Sequence, residues 1–244
     1  MADFFASDAW QEILKVFLDM KNGFVPGIWE TLYSTVLSTL FAYVIGLPLG
    51  VLLVTGESDG IHPLPAGLMK VINVSVNLLR SVPFLILMIM VLPLSKVVLG
   101  TSIGTPASII PLVIAAFPFV ARMVESSIRE VDKGVIEAAQ AMGASTFQII
   151  WKVMIPESMP SLISGGTISL TTILGYGAMA GIIGGGGLGK IAINYGYYRY
   201  NYPVMIVAVI LLIILVQVFQ SVGTYLAVKN DKRITQRIKR RKKQ

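Results

Sequence analysis

The sequence predicts an all-α membrane protein of five transmembrane helices, with the N-terminus outside and the C-terminus cytoplasmic. Three observations carry that expectation. Of 244 residues, 55% are hydrophobic and only 14% charged, against roughly 25% charged in a soluble domain. Several apolar runs approach the ~20 residues that cross a bilayer as a helix. The basic residues are sorted: nine lie in the sixteen residues Lys229–Gln244 and four flank a polar central loop, whereas the opposite side holds only Lys15, Lys21, Lys96, Lys190 and Arg199. Excess Lys and Arg mark the cytoplasmic side, so the loop and tail face inward.

The composition also removes whole classes of function. The absence of Cys leaves no disulfide framework and no thiolate chemistry, and a single histidine, His62, provides no metal set. The net charge of +7 resides largely in the tail beside a span, so topology rather than nucleic acid accounts for it.

Residues 1–27 read as an external interfacial helix. Trp10, Ile13, Leu14, Phe17 and Leu18 fall at helical spacing, with Asp8, Glu12, Lys15 and Asp19 around the other side. The membrane domain follows over 28–228, and 229–244 is a basic cytoplasmic tail. Its first span runs from Ile28 to Val54, where Gly46 and Gly50 form a small-xxx-small step that permits close helix approach, or else Pro48 between them marks a kink. From Ala66 to Leu99 the apolar run is interrupted by Lys70, Asn73, Asn77 and Arg80, so only a centre near Leu85 is placed for the second span. The third, Thr105 to Ser127, is divided by Pro111 and Pro118, and Arg122 and Glu125 can pair at i,i+3. The fourth, Ser158 to Ile183, is dominated by small and hydroxylic residues that suit tight packing or a polar path, with a second close-approach step at Gly177 and Gly181. The fifth runs from Pro203 to Val228.

Between the third and fourth spans lies Glu137-Ala138-Ala139-Gln140-Ala141-Met142-Gly143, continuing through Ser145 to Trp151-Lys152-Val153-Met154-Ile155-Pro156. It reads as two short helices joined at Gly143, the second opened by a Ser145-x-x-Gln148 capping box and stopped by Pro156. This segment resembles the cytoplasmic coupling loop of ABC-importer permeases: Glu-Ala-Ala, a spaced Gly, then an apolar-Pro pair. Arg80-Ser81-Val82-Pro83 is similar to a step found in amino-acid permeases. Gly175–Gly181 and the run Gly184 to Asn201 look like the matching region of methionine-importer permeases.

The resemblance implies the membrane subunit of an ATP-driven methionine importer in the bacterial inner (cytoplasmic) membrane, with its coupling loop at 133–156. It implies a second copy of this chain, two cytoplasmic ABC ATPase subunits and an external methionine-binding lipoprotein as partners, besides membrane lipid. The chain itself is then not an enzyme and holds no cofactor; ATP and Mg belong to the partner ATPase. Glu137, Ala138, Ala139, Gly143 and Pro156 take the coupling role. In the fourth span, Ser169, Thr172, Tyr176 and Met179 are the candidate lining of a methionine path, since hydroxyl, aromatic and thioether groups suit a small zwitterion with a soft sulfur. The alternatives are a permease for another small amino acid and a homo-oligomeric channel lined by the fourth span.

One motif points elsewhere. Gly184-Gly185-Gly186-Gly187-Leu188-Gly189-Lys190 satisfies G-x-x-x-x-G-K, and Gly184, Gly186 and Gly189 also satisfy G-x-G-x-x-G. Ile191 replaces the hydroxyl residue a phosphate loop needs for magnesium, and no strand is expected before it. The run therefore reads as an external hairpin of glycines in conformations that other residues avoid.

Overall fold

The computed structural model describes residues 8–19 and 23–231, and no strand occurs among them. Helix α1 is Asp8–Leu18 and the first span, α2, is Phe24–Thr55. The helices α3 (Ala66–Ser81) and α4 (Phe84–Leu99) precede α5 (Thr105–Arg129), which leads to the short α6 (Lys133–Ala141) and α7 (Thr146–Ile149). A π turn, Ile150–Met154, joins α7 to α8 (Ile155–Ala180). The glycine run then enters α9 (Gly187–Ile191), and α10 is Tyr202–Asn230. Most of the basic tail and Lys21 lie outside the described residues.

Four stretches are long and apolar enough to cross a membrane: Phe24–Thr55, Thr105–Arg129, Thr146–Tyr197 and Tyr202–Asn230. The sharply bent pair α3 and α4 makes a fifth when counted as one span. The bend explains why the sequence did not place the start of that span. Pro83 lacks an N–H and its ring keeps Val82 out of the helical region, so α3 ends at Ser81 and α4 restarts behind Pro83 at ψ 133°. Two other expectations about proline are corrected. Pro111 and Pro118 do not divide α5, which is one helix. Pro156 does not stop the helix begun at Thr146: the π turn before it shifts the bonding to Ile155 N–H onto Ile150 C=O, and the chain runs on into α8.

The helices differ in how far they are covered. Over half of the apolar window of α5 is buried, 56%, against 11% in α10; α5 is therefore well covered within the chain, while α10 leaves Ile206, Val209, Ile210, Ile213 and Ile214 exposed.

By contacts the chain divides into two units. One takes its described residues from Met1–Phe41, Val82–Ala116 and Leu170–Val218. Its core is Val16 of α1, Phe24 of α2, Leu188 and Ile191 of α9, and Val204 and Ala208 of α10. In α1 the buried residue is Val16, whereas Leu14, Phe17 and Leu18 of the face expected to be apolar are exposed, Leu18 at 73%. The other unit takes Ala42–Ser81, Phe117–Ser169 and the described part of Phe219–Gln244. There Gly46 and Gly50 of α2 press on α5: a Cβ at Gly46 would sit 2.7 Å from Val120 Cγ1, and one at Gly50 2.6 Å from Val124 Cβ. The small-xxx-small step is a helix contact. Of the step in α8, Gly181 is packed against the backbone of Gly189 and Lys190, but a Cβ at Gly177 would meet nothing within 4 Å.

Candidate functional site

The segment 132–156 is built by local capping. Asp132 Oδ1 accepts the Gly134 N–H at 2.7 Å, which opens α6. Its end is closed by two backbone bonds, Gly143 N–H to Gln140 C=O at 2.9 Å and Ala144 N–H to Ala139 C=O at 3.1 Å. That pair is a Schellman motif, and it requires the left-handed conformation that Gly143 adopts at φ 79°. Ser145 then caps α7. Its Oγ accepts from Gln148 N–H and its N–H donates to Gln148 Oε1 at 2.9 Å, the reciprocal capping box expected from the sequence.

The two capped helices bury Ala139 and Ile149 and leave most of their other residues exposed. Glu137, Ala138 and Gly143 are exposed, and Pro156 is partly covered. Ala139 is buried at 4% exposure, so of the two alanines only Ala138 belongs to the outer face. Sequence reasoning passed over three further residues. Met142 is 80% exposed, Phe147 68% and Trp151 54%, and the last two rings lie 6.1 Å apart one helical turn from each other. This ridge of exposed large apolar side chains, on the segment that carries Glu137, is the composition of an interface hot spot, not of a solvated loop. The i,i+4 spacing of Phe147 and Trp151 beside the Glu-Ala-Ala motif was the available signal.

Beside the ridge lies an open cleft of about 400 Å³, lined by Glu57 and Asp59 of the α2–α3 loop, Arg129, Lys133, and Glu137 and Gln140 of α6. Arg129 grips Glu57 with both terminal nitrogens, at 2.9 and 2.6 Å, and also bonds Glu125 at 2.8 Å. Glu125 in turn pairs with Arg122 at 2.6 Å, the i,i+3 contact expected from the sequence. His62, in the same loop, is exposed.

The four candidates for a path differ in exposure. Ser169 is wholly buried and donates to Gly165 C=O at 2.8 Å. Ser158, Ser164 and Thr167 likewise bond the carbonyl four residues before them, which is how a hydroxyl-rich helix satisfies its side chains without water. In the other unit Thr172 and Tyr176 are half-buried, and Met179 is 47% exposed. The Tyr176 ring is stacked on Phe84 at the start of α4, with centroids 4.2 Å apart and planes at 6°. Gly175, exposed like Met179 and Ile182, repeats at helical spacing with them, and a Cβ at Gly175 would meet nothing. This face of α8 mixes glycine, methionine and a tyrosine edge, whereas the middle of α10 exposes mainly Ile and Val.

The glycine run is held by hydrogen bonds to two neighbouring parts of the chain. Gly104 N–H donates to Gly184 C=O at 2.8 Å, and Glu30 and Thr31 of α2 accept the N–H groups of Gly187 and Leu188. Gly184 and Gly187 adopt φ values of 92° and 77°, as the hairpin reading requires.

Comparison with known proteins agrees with this arrangement. Residues 66–236 match the family described as binding-protein-dependent transport system inner membrane component. A protein of Vibrio cholerae named probable D-methionine transport system permease protein MetI is 48% identical over 206 residues, covering 84% of this chain and 91% of its own length. A protein of the same name from Pasteurella multocida is 44% identical over 217 residues, covering 85% and 99%. Among solved structures, one described as inward facing conformations of the MetNI methionine ABC transporter contains a chain that superposes with a TM-score of 0.84 at 42% identity, covering 93% of this chain and all of that one. The chain belongs to the binding-protein-dependent transport system inner membrane component family.

Proposed function

We propose that this chain is the membrane-spanning permease subunit of an ATP-driven importer of methionine in the bacterial inner membrane. Two copies pair through the mixed face of α8 that carries Gly175, Tyr176 and Met179. Two ATPase subunits, which hold ATP and Mg, dock on the ridge at Glu137, Ala138, Met142, Phe147 and Trp151. An external methionine-binding lipoprotein delivers substrate. In this reading the N-terminus is outside and the basic tail and ridge are cytoplasmic, as the distribution of Lys and Arg favours. Closure of the ATPases on ATP draws the two ridges together and swings the spans to open the path outward; hydrolysis resets them. ATP thus biases a two-state element through its differential affinity for the closed arrangement.

The observation that carries the reading is the capped helix-Gly-helix at 132–149, whose apolar side chains face out of the protein. A passive channel has no use for such a ridge. The methionine assignment rests on the likeness to permeases named for that substrate. Purification of the chain with its partners in mild detergent, followed by identification of the ligand carried by the external binding protein, tests it: methionine is expected, and another amino acid replaces the substrate while leaving the ridge its role.

A further inference from the structure

We infer that the α2–α3 loop, residues 56–65, is a second part of the coupling machinery, strapped to the root of the ridge by Glu57 and Asp59 so that both move as one body. The inference rests on the reading of 133–156 as the ATPase-docked segment.

The strap has two parallel ties. Glu57 Oε1 and Oε2 accept from the two terminal nitrogens of Arg129 at 2.6 and 2.9 Å, a fork-to-fork pair that fixes direction as well as distance. Four residues on, Lys133 Nζ lies 3.6 Å from Asp59 Oδ2. Arg129 is the last residue of α5 and Lys133 the first of α6. The loop is therefore held at both ends of the joint from which the ridge projects.

The loop is also preorganised. Gly60 N–H bonds Glu57 C=O, His62 N–H bonds Thr55 C=O and Leu64 N–H bonds Gly56 C=O, at 2.9 to 3.0 Å. A loop so cross-braced passes displacement on instead of absorbing it. From Arg129 the bonds continue inward through Glu125, whose side chain is 11% exposed, to Arg122 at 19%. The Arg122 guanidinium then reaches Asn73 Oδ1 at 2.9 Å and Asn77 Oδ1 at 3.0 Å on α3. Movement of the ridge accordingly has a hydrogen-bonded route to α2 and α3, in addition to its covalent continuations α5 and α8.

Stability alone is a poor reason for the outer pairs. Arg129 and Glu57 are 44% and 35% exposed, Lys133 and Asp59 84% and 72%, and exposed ion pairs contribute little to folding. Their placement in parallel across one joint is what a mechanical tie needs.

The chain has no cysteine, so paired thiols can be introduced cleanly. Asp59→Cys with Lys133→Cys, bridged by a short bismaleimide, fixes the strap; Glu57→Gln with Asp59→Asn removes it. Both are reconstituted with the ATPase and the external binding protein, and methionine uptake and ATP hydrolysis are measured together, with Glu57→Gln alone as a milder variant and yield of the assembled complex as the folding check. The bridged form is expected to recover uptake per ATP relative to the same double-cysteine variant left unbridged, and the unstrapped form to hydrolyse ATP while uptake per ATP falls about fivefold, the low end of a coupling energy. Uptake stopped by the bridge, or an unchanged uptake per ATP in the assembled unstrapped forms, overturns the strap. Gly143→Arg reports on the docking reading separately: full uptake in that variant overturns docking and strap together, whereas lost uptake there beside an unchanged ratio in the unstrapped forms overturns the strap alone.

Discussion

The carboxylate of Glu30 accepts the backbone N–H of Gly187 at 2.7 Å, across 157 residues of sequence. Its neighbour Thr31 accepts from Leu188 N–H at 2.9 Å. Two adjacent side chains of α2 thereby take the first N–H groups of α9, which no helical carbonyl can reach. The close approach explains the glycines. A Cβ at Gly186 would strike Thr105 Oγ1 and Glu30 Oε2, and one at Gly187 would lie 2.5 Å from Thr31 Oγ1.

Glu30→Ala is expected to destabilise the chain by roughly 1–3 kcal/mol, the cost of leaving a covered N–H without an acceptor. Glu30→Gln keeps an acceptor and is expected to recover most of the loss. Thermal unfolding of the purified chain in detergent measures both; equal losses would show that charge and not the hydrogen bond matters.

Lys190→Ala is expected to leave ATP affinity of the assembled transporter unchanged. The run it terminates is occupied by contacts to Glu30 and Thr31, with no room for a phosphate at Gly186 or Gly187. A large loss of nucleotide binding in an intact complex would reverse the assignment of sides.

Gly50→Val is expected to cost about 1–3 kcal/mol by overpacking α2 against Val124 and Ala121. Gly175→Ala and Gly177→Ala, where a Cβ meets nothing, are expected to leave the isolated chain as stable or slightly more so, since Ala is the better helix former. Unfolding midpoints for the three variants check the contrast. Loss of stability at Gly177→Ala in the monomer would mean that α8 is more closely covered than described.

Much of this was legible in the sequence because it depends on local rules. The capping box at Ser145 and Gln148, the left-handed Gly143, the Arg122–Glu125 pair and the Gly46–Gly50 step all follow from spacing within a turn or two. What spacing could not reveal is non-local. Whether Ser169 faced a path or a neighbour depended on what packs against α8, and it is buried with its hydroxyl on Gly165 C=O. The partners of the glycine run lie on α2 and the partner of Tyr176 on α4. The continuation through Pro156 needed a π turn, for which the sequence carries no signal.

The ridge gives a sharper expectation. Trp151→Ala is expected to weaken binding of the ATPase subunit by about 2 kcal/mol or more, a roughly thirtyfold rise in Kd, as for a central aromatic anchor. Gly143→Arg is expected to abolish uptake while the chain still inserts. A Cβ at Gly143 meets nothing within 4 Å, so the substitution strains only the backbone, by about 1 kcal/mol, and places its bulk on the docking side. Titration of detergent-solubilised chain with the ATPase subunit reads both; binding as tight as wild type in each would leave the ridge without its role.

The central claim is ATP-driven methionine import, and uptake of labelled methionine into proteoliposomes tests it most directly. The vesicles contain this chain with its ATPase, the external binding protein is added outside, and ATP is enclosed or omitted. The account predicts accumulation above the external concentration only with enclosed ATP and binding protein present, reduced by excess unlabelled methionine and not by other small amino acids. Equilibration of methionine at the same rate without ATP, stopping at equal concentrations on both sides, would contradict it and make the chain a passive channel.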